Sequence, residues 1–281
     1  MFSINDKIKL LDGNYIPQLG FGTYLSEPSD CYRSVLTALK AGYRHIDTAA
    51  FYQNEDAVGN AIKASGIDRK DIFVTTKVWN DDQGYDKTMK AFEKSYKNLG
   101  LDYIDLYLIH WPIPKDREND YASLNDGTWK AFSELKDQGL IRSMGVSNFM
   151  PEHIERLFDS SGIMPVINQI ELHPALRQTE TVEYCASKGI AIEAWRPILK
   201  GTADTFPQLT TLAQKYGVTP TQICLRWHLQ KGYVPLPKSV TDSRIIENAN
   251  IYSFALTNDD MALIDTIDER RFGPHPNTFG K

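Results

Sequence analysis

Short apolar runs alternate with amphipathic stretches along nearly the whole chain. Strand-length runs lie at 19–21, 45–47, 73–77, 104–110, 143–147, 166–169, 191–195 and 233–235. Stretches of helical length lie between and after them, at 29–41, 55–65, 87–99, 127–138, 151–160, 179–188, 219–230 and 243–248. Met89, Phe92, Tyr96 and Leu99 show the helical period, with apolar positions three and four apart. Gly42, Gly66, Gly100, Gly139, Gly189 and Gly232 close several of these stretches, as helix C-terminal glycines do. Ahead of the first unit, Ile8 to Leu11 and Tyr15-Ile16 flank Asp12-Gly13-Asn14, a hairpin signal.

Eight strand–helix units with short links predict a (β/α)8 TIM barrel, its bottom closed by the N-terminal hairpin. A doubly wound open sheet is the alternative. Such a sheet usually carries a glycine-rich phosphate turn after its first strand. Here that strand ends Gly20-Phe21-Gly22-Thr23, without a third glycine at the required spacing. No linker or low-complexity tract interrupts the alternation, so residues 1–281 read as a single domain. Two longer loops, 111–126 and 196–205, follow strands and therefore belong to the catalytic face of a barrel.

Composition narrows the class. At 281 residues, 42% hydrophobic and 24% charged, the chain is ordinary for a globular protein large enough to need no staples. A net charge of -5 argues against a nucleic-acid footprint. Cys31, Cys185 and Cys224 are scattered, with no CxxC pair, so neither a disulfide framework nor a zinc site is implied. The start, Met1 to Lys7, has no apolar signal region, and no run of about 18 apolar residues occurs. A cytoplasmic protein acting on a small molecule, without metal, membrane or nucleic-acid partners, is expected.

Polar residues at strand C-termini carry barrel chemistry. Strand by strand these are Asp47, Lys77, His110, Ser147, Asn148, Gln169 and Trp195, with Tyr52 in the loop after Asp47. A carbonyl that accepts hydride develops charge on oxygen and needs a proton donor. A phenol is a poor one unless a nearby ammonium lowers its pKa, and a carboxylate would hold that ammonium. An imidazole would orient the carbonyl. Tyr52, Lys77, Asp47 and His110 fill these roles. Each has a plainer reading: Asp47 as a turn cap, Tyr52 as a packed aromatic, Lys77 as a surface residue, His110 as a core histidine.

Several segments resemble the aldo-keto reductases. They are Gly42-Tyr43-Arg44-His45-Ile46-Asp47-Thr48-Ala49, Tyr52-Gln53-Asn54-Glu55, Thr75-Thr76-Lys77-Val78-Trp79 and Leu106-Tyr107-Leu108-Ile109-His110-Trp111-Pro112. Gly145-Val146-Ser147-Asn148-Phe149, Asn168-Gln169-Ile170-Glu171 and Leu236-Pro237-Lys238-Ser239 complete the set. The branch most similar includes methylglyoxal, diketogluconate and prostaglandin reductases. The resemblance implies an NADPH-dependent reductase of aldehydes or ketones, with Asp47, Tyr52, Lys77 and His110 as catalytic tetrad and Tyr52 as general acid.

It also implies a cofactor site. Gly22, Thr23 and Asp47 would meet the ribose and pyrophosphate side. Ser147, Asn148 and Gln169 would bind the nicotinamide carboxamide, and Trp195 would stack on the ring. Lys238, Ser239 and Arg244 would grip the 2′-phosphate, with Val240 also at the cofactor and Glu247 and Asn248 near the adenine. Where relatives often carry Ser-Pro-Leu, this chain has Arg196-Pro197-Ile198 at the cofactor; the expectation is that Arg196 clamps the diphosphate, the alternatives being that it crowds the site or points to solvent. Tyr24, Phe51, Trp79, His110, Trp111 and Phe149 would line the substrate pocket. A short tail, 272–281, implies an open, permissive site, and relatives of this size imply a monomer. Two other functions fit the barrel: a Schiff-base aldolase using Lys77, and a nicotinamide-binding sensor without turnover.

Overall fold

The computed structural model describes residues 2–279, so Met1 and the last two tail residues, Gly280 and Lys281, lie outside it. The chain opens with the expected hairpin, β1 (Lys7–Lys9) antiparallel to β2 (Tyr15–Pro17). Eight parallel strands follow: β3 (Phe21–Gly22), β4 (His45–Asp47), β5 (Phe73–Val78), β6 (Ile104–Ile109), β7 (Ile141–Ser147), β8 (Ile167–Glu171), β9 (Ala191–Trp195) and β10 (Val234–Pro235). Each pairs with the next in chain order. The Gly20 N–H donates to Pro235 O and the Gly22 N–H to Pro237 O, both at 3.1 Å, which joins the first strand to the last and closes the ring.

Helices cover the outside: α1 (Pro28–Lys40), α2 (Glu55–Ala64), α3 (Tyr85–Leu99), α4 (Tyr121–Asp137), α5 (Pro151–Ser161), α6 (Thr179–Ser187), α7 (Pro207–Tyr216), α8 (Pro220–Gln230), α9 (Asp242–Ala249) and α10 (Asn258–Asp265). The helix α3 ends as the sequence signals, with Gly100 in the left-handed region (φ 58°) and its N–H on Tyr96 O. Two helices escaped the reading, α7 and α10. The loop read over 111–126 is shorter, because α4 starts at Tyr121.

Strand alternation sorts the wall into two sets. Ile46, Val74, Val78, Tyr107, Ile109, Met144, Val146, Ile170, Ile192 and Ala194 belong to the large cluster that also contains helix residues. Phe73, Leu106, Leu108, Ile167 and Val234 form a second cluster with Leu10 and Ile16 of the hairpin segment. The hairpin therefore plugs the barrel floor with its own apolar side chains. Above this apolar layer the inward positions turn polar, and there the site begins.

Candidate functional site

The strands β4 and β5 place Asp47 and Lys77 inside the barrel, 4% and 0% exposed. Lys77 Nζ donates to both Asp47 carboxylate oxygens and to Thr48 O, each at 2.8 Å. An ammonium has three protons, so these partners use them all. The Tyr52 hydroxyl lies 3.5 Å from Nζ, at the long limit of a hydrogen bond. Tyr52 sits on a short 3-10 turn, Ala50–Tyr52, just after β4. His110, directly after β6, completes the group, its ring edge-on to Tyr52 with centroids 5.7 Å apart. The four residues singled out from the sequence thus meet at one end of the barrel.

Two electrostatic details differ from the simple picture. Burial, then the charges of Asp47 and Tyr24, push the Tyr52 phenol well above its ordinary value. The expectation of a phenol lowered overall is corrected: the pull of Lys77, which already serves Asp47 and Thr48, is outweighed by the desolvation that penalises the phenolate. Burial, then Lys77, holds His110 well below the usual imidazole range, so its ring is neutral near pH 7.

Below the tetrad lies a second polar layer. Gln169 Nε2 donates to Asp47 Oδ2 at 2.8 Å and to Glu193 Oε2 at 3.0 Å. Glu193 Oε1 lies 3.4 Å from His45 Nε2, which also contacts Thr75 Oγ1 at 3.1 Å. Burial, then Asp47, raises the Glu193 carboxyl to about 8, and burial, then Lys77, lowers His45 to about 3.

The candidate cofactor residues gather along the same rim. Gly22 pairs with Asp47 across β3 and β4, and both Thr23 N–H and Oγ1 donate to Asp47 O. Ser147 Oγ donates to Gln169 O. Asn148, left-handed at φ 64°, donates to His110 O and Ser147 Oγ and accepts from Trp195 Nε1 at 2.9 Å. That bond sets the plane of the Trp195 ring. Lys238 and Arg244 are exposed and form no ion pair among the described residues. They flank the start of α9, with Ser239 and Val240 in the approach to it, where the helix dipole favours an anion. Glu247 accepts from Thr219 Oγ1, and Asn248 is buried.

Arg196 does not extend freely toward a diphosphate. It is left-handed (φ 55°), and its Nη1 lies 3.8 Å from Glu171 Oε1 at the end of β8. Its guanidinium carbon sits 5.2 Å from the Trp195 ring centre. The adjoining Pro197 is buried and Ile198 partly so. Glu171 also accepts from the N–H groups of Phe272 and Gly273, and Arg271 Nη1 lies 3.7 Å from its Oε2. Burial alone would raise this carboxyl, but His173 and the two N–H donors outweigh it and hold it below the usual range.

The aromatic wall forms as read, with two corrections. Phe51 stacks on Trp79 at 3.9 Å, Trp79 lies edge-on to His110 at 5.1 Å, and Tyr24 lies edge-on to Tyr52 at 5.1 Å. Phe149 is not part of this wall; it is fully buried in the outer core against His153. The tail does not leave the site open either. Phe279 stacks on Trp111 at 4.0 Å and approaches Trp79 at 6.3 Å. Gly273 lets the tail pass: a Cβ there would lie 2.4 Å from the Trp195 ring and 2.8 Å from Glu171 Oε2.

Sequence reading missed Glu193, His45, Glu171, Arg271 and Phe279. Alternation gave a signal for the first, since Glu193 has the same inward parity as Trp195. His45 and Glu171 carry the same signal, two residues before Asp47 and two after Gln169, whereas Arg271 and Phe279 depend on contacts between distant segments. No group of His, Cys, Asp and Glu suited to a metal occurs among the described residues.

The model of the aldo/keto reductase family matches residues 18–269. A glyoxal reductase of Bacillus subtilis is 46% identical over 98% of each chain. The methylglyoxal reductase DkgA of Escherichia coli is also 46% identical, over 97% of this chain and 98% of its own. An aldo/keto reductase structure from Brucella melitensis superposes with TM-score 0.90 at 48% identity, covering 95% of this chain and all of that one. A Bombyx mori aldo-keto reductase in complex with NADP gives TM-score 0.87 at 40% identity, covering 95% and 94%. The chain belongs to the aldo/keto reductase family.

Proposed function

We propose that this family member is an NADPH-dependent reductase of small aldehydes and ketones, with Tyr52 as general acid. The observation that carries the reading is the buried Asp47–Lys77 pair with Tyr52 and His110 beside it, at the mouth of an aromatic pocket. A relative named for NADP binding supports the cofactor, and relatives named for glyoxal and methylglyoxal support short oxo-aldehydes as substrates.

The residues present suit the nucleotide. Lys238 and Arg244, without an ion pair among the described residues, and the Ser239 hydroxyl supply the donors that a 2′-phosphate needs. Trp195, fixed by Asn148, offers a flat face for the nicotinamide, while Ser147, Asn148 and Gln169 bring amide-binding groups to its edge. When bound, the nucleotide supplies the hydride.

The chain's own groups do the rest. Neutral His110 donates one N–H toward the carbonyl oxygen and fixes its orientation. Tyr52 keeps its proton in the resting site, because burial and Asp47 disfavour the phenolate. An alkoxide is far more basic than a phenolate, so the phenol still protonates the oxygen once charge has moved there. Lys77 then stabilises the phenolate left behind, at 3.5 Å, while Asp47 keeps the ammonium in place. Trp79, Trp111 and Phe51 exclude water from the reacting carbon.

We read residues 1–281 as one domain acting as a monomeric, cytoplasmic enzyme. Three buried free cysteines support a reducing compartment, and no helix among the described residues is long and apolar enough to cross a membrane. Loss of NADPH absorbance with methylglyoxal, repeated with NADH, tests the reading: turnover favouring NADPH supports it, and none with any carbonyl overturns it. Borohydride trapping separates it from an aldolase, leaving Lys77 unmodified.

A further inference from the structure

Glu193 is buried in the barrel (0% exposed) and has no role in the chemistry above. Its register partner across β8 and β9 is Gln169, and their side chains meet inside the barrel. His45 and Asp47 face it from β4, Thr75 and Lys77 from β5, and Val234 is its register partner on β10.

The Gln169 amide lies between two acidic side chains. An amide carbonyl turned toward the Asp47 carboxylate would meet only oxygen lone pairs, so the NH2 must face it. Both of its protons are then used, one on Asp47 Oδ2 and one on Glu193 Oε2. Only Oε1 is left to meet a ligand, and it can only accept. We propose that Glu193 is a positioning residue that fixes the Gln169 amide, so that Gln169 selects a ligand with an N–H donor, such as the primary carboxamide of nicotinamide. This rests on the cofactor reading above.

Protonation supports the arrangement. Desolvation and Asp47 keep Glu193 a neutral acid near pH 7, so Asp47 remains the single negative charge facing Lys77. The acid still accepts from Gln169 through Oε2, while its Oε1 lies 3.4 Å from neutral His45.

The test compares binding of NADP+ with that of its 3-acetylpyridine analogue, which has a methyl ketone in place of the amide and no N–H to donate. Quenching of tryptophan fluorescence reads both affinities without turnover. Wild-type protein should prefer NADP+ by roughly fivefold or more, the worth of one hydrogen bond. Glu193→Leu, or Glu193→Met should the leucine variant not fold, removes the acceptor and should reduce the preference below about twofold. Glu193→Gln restores it, since its carbonyl accepts the same N–H. Wild-type preference in the apolar variants, loss of preference in Glu193→Gln, or no preference in the wild type each overturns this assignment alone. Wild-type protein that binds neither nucleotide overturns the functional reading and this assignment with it.

Discussion

Lys77 Nζ lies 2.8 Å from each carboxylate oxygen of Asp47, and 3.5 Å from the Tyr52 hydroxyl. The ammonium is held first by the carboxylate and reaches the phenol second. Asp47→Asn should therefore do more than remove a charge. It releases Lys77, which then approaches Tyr52 and removes part of what raises the phenol. The variant should lower kcat by roughly 10²-fold or more, and its activity should fall off at lower pH on the alkaline side than the wild type's. An alkaline limb that stays in place would show that Asp47 does not govern Tyr52.

The cation pair beside α9 makes a cofactor prediction. Lys238→Ala combined with Arg244→Ala should raise KM for NADPH by roughly 10²-fold and change KM for NADH little, because only the former carries the 2′-phosphate. Equal effects on both would refute the assignment.

Arg196 tests two roles that predict opposite outcomes. Its contact with Glu171 assigns it to holding the junction of β8, β9 and the tail. On that account Arg196→Ser costs on the order of 1 kcal/mol of stability, read in denaturant melts, with NADPH affinity changed less than about threefold. Unchanged stability with much weaker NADPH binding would restore the diphosphate clamp.

Phe279 covers Trp111 from the tail. Phe279→Ala should open the pocket and shift kcat/KM toward bulky aromatic aldehydes relative to methylglyoxal by roughly tenfold. An unchanged ratio would place Phe279 outside the substrate path.

Glu193 gives a stability prediction with a definite sign. Its carboxyl rises from 4.5 to about 8 in the folded protein. The folded state thus holds a proton that the unfolded chain releases above about 4.5. The corresponding stability is whole below that pH and is lost as pH rises through about 8. Gln cannot ionise, so the advantage of Glu193→Gln over wild type should grow by on the order of 2–4 kcal/mol between pH 5 and 9 in paired melts. A constant difference would contradict the raised carboxyl.

The barrel was legible because strand period and inward parity follow directly from the side chains. His45–Asp47 and Ala191–Trp195 are the strands as read. The tetrad was legible because barrel chemistry sits at strand ends, a local property of Asp47, Lys77 and His110. The helix α7 was missed because its buried stripe is only Leu209, Leu212 and Ala213, in a unit that already had α8 as its helix. The tail contacts were not legible because Glu171 meets Gly273 across 102 positions, and Phe279 meets Trp111 across a still longer separation. No local pattern encodes such pairs. The lowered phenol was misjudged for a similar reason: which partner Lys77 favours is decided by distances that only the closed barrel sets.

The most direct test of the account is reduction of methylglyoxal by Tyr52→Phe protein, with NADPH binding measured in parallel. The account predicts NADPH affinity within about threefold of wild type and kcat lower by roughly 10²- to 10⁴-fold. Turnover near the wild-type rate would contradict it and assign the proton to another group.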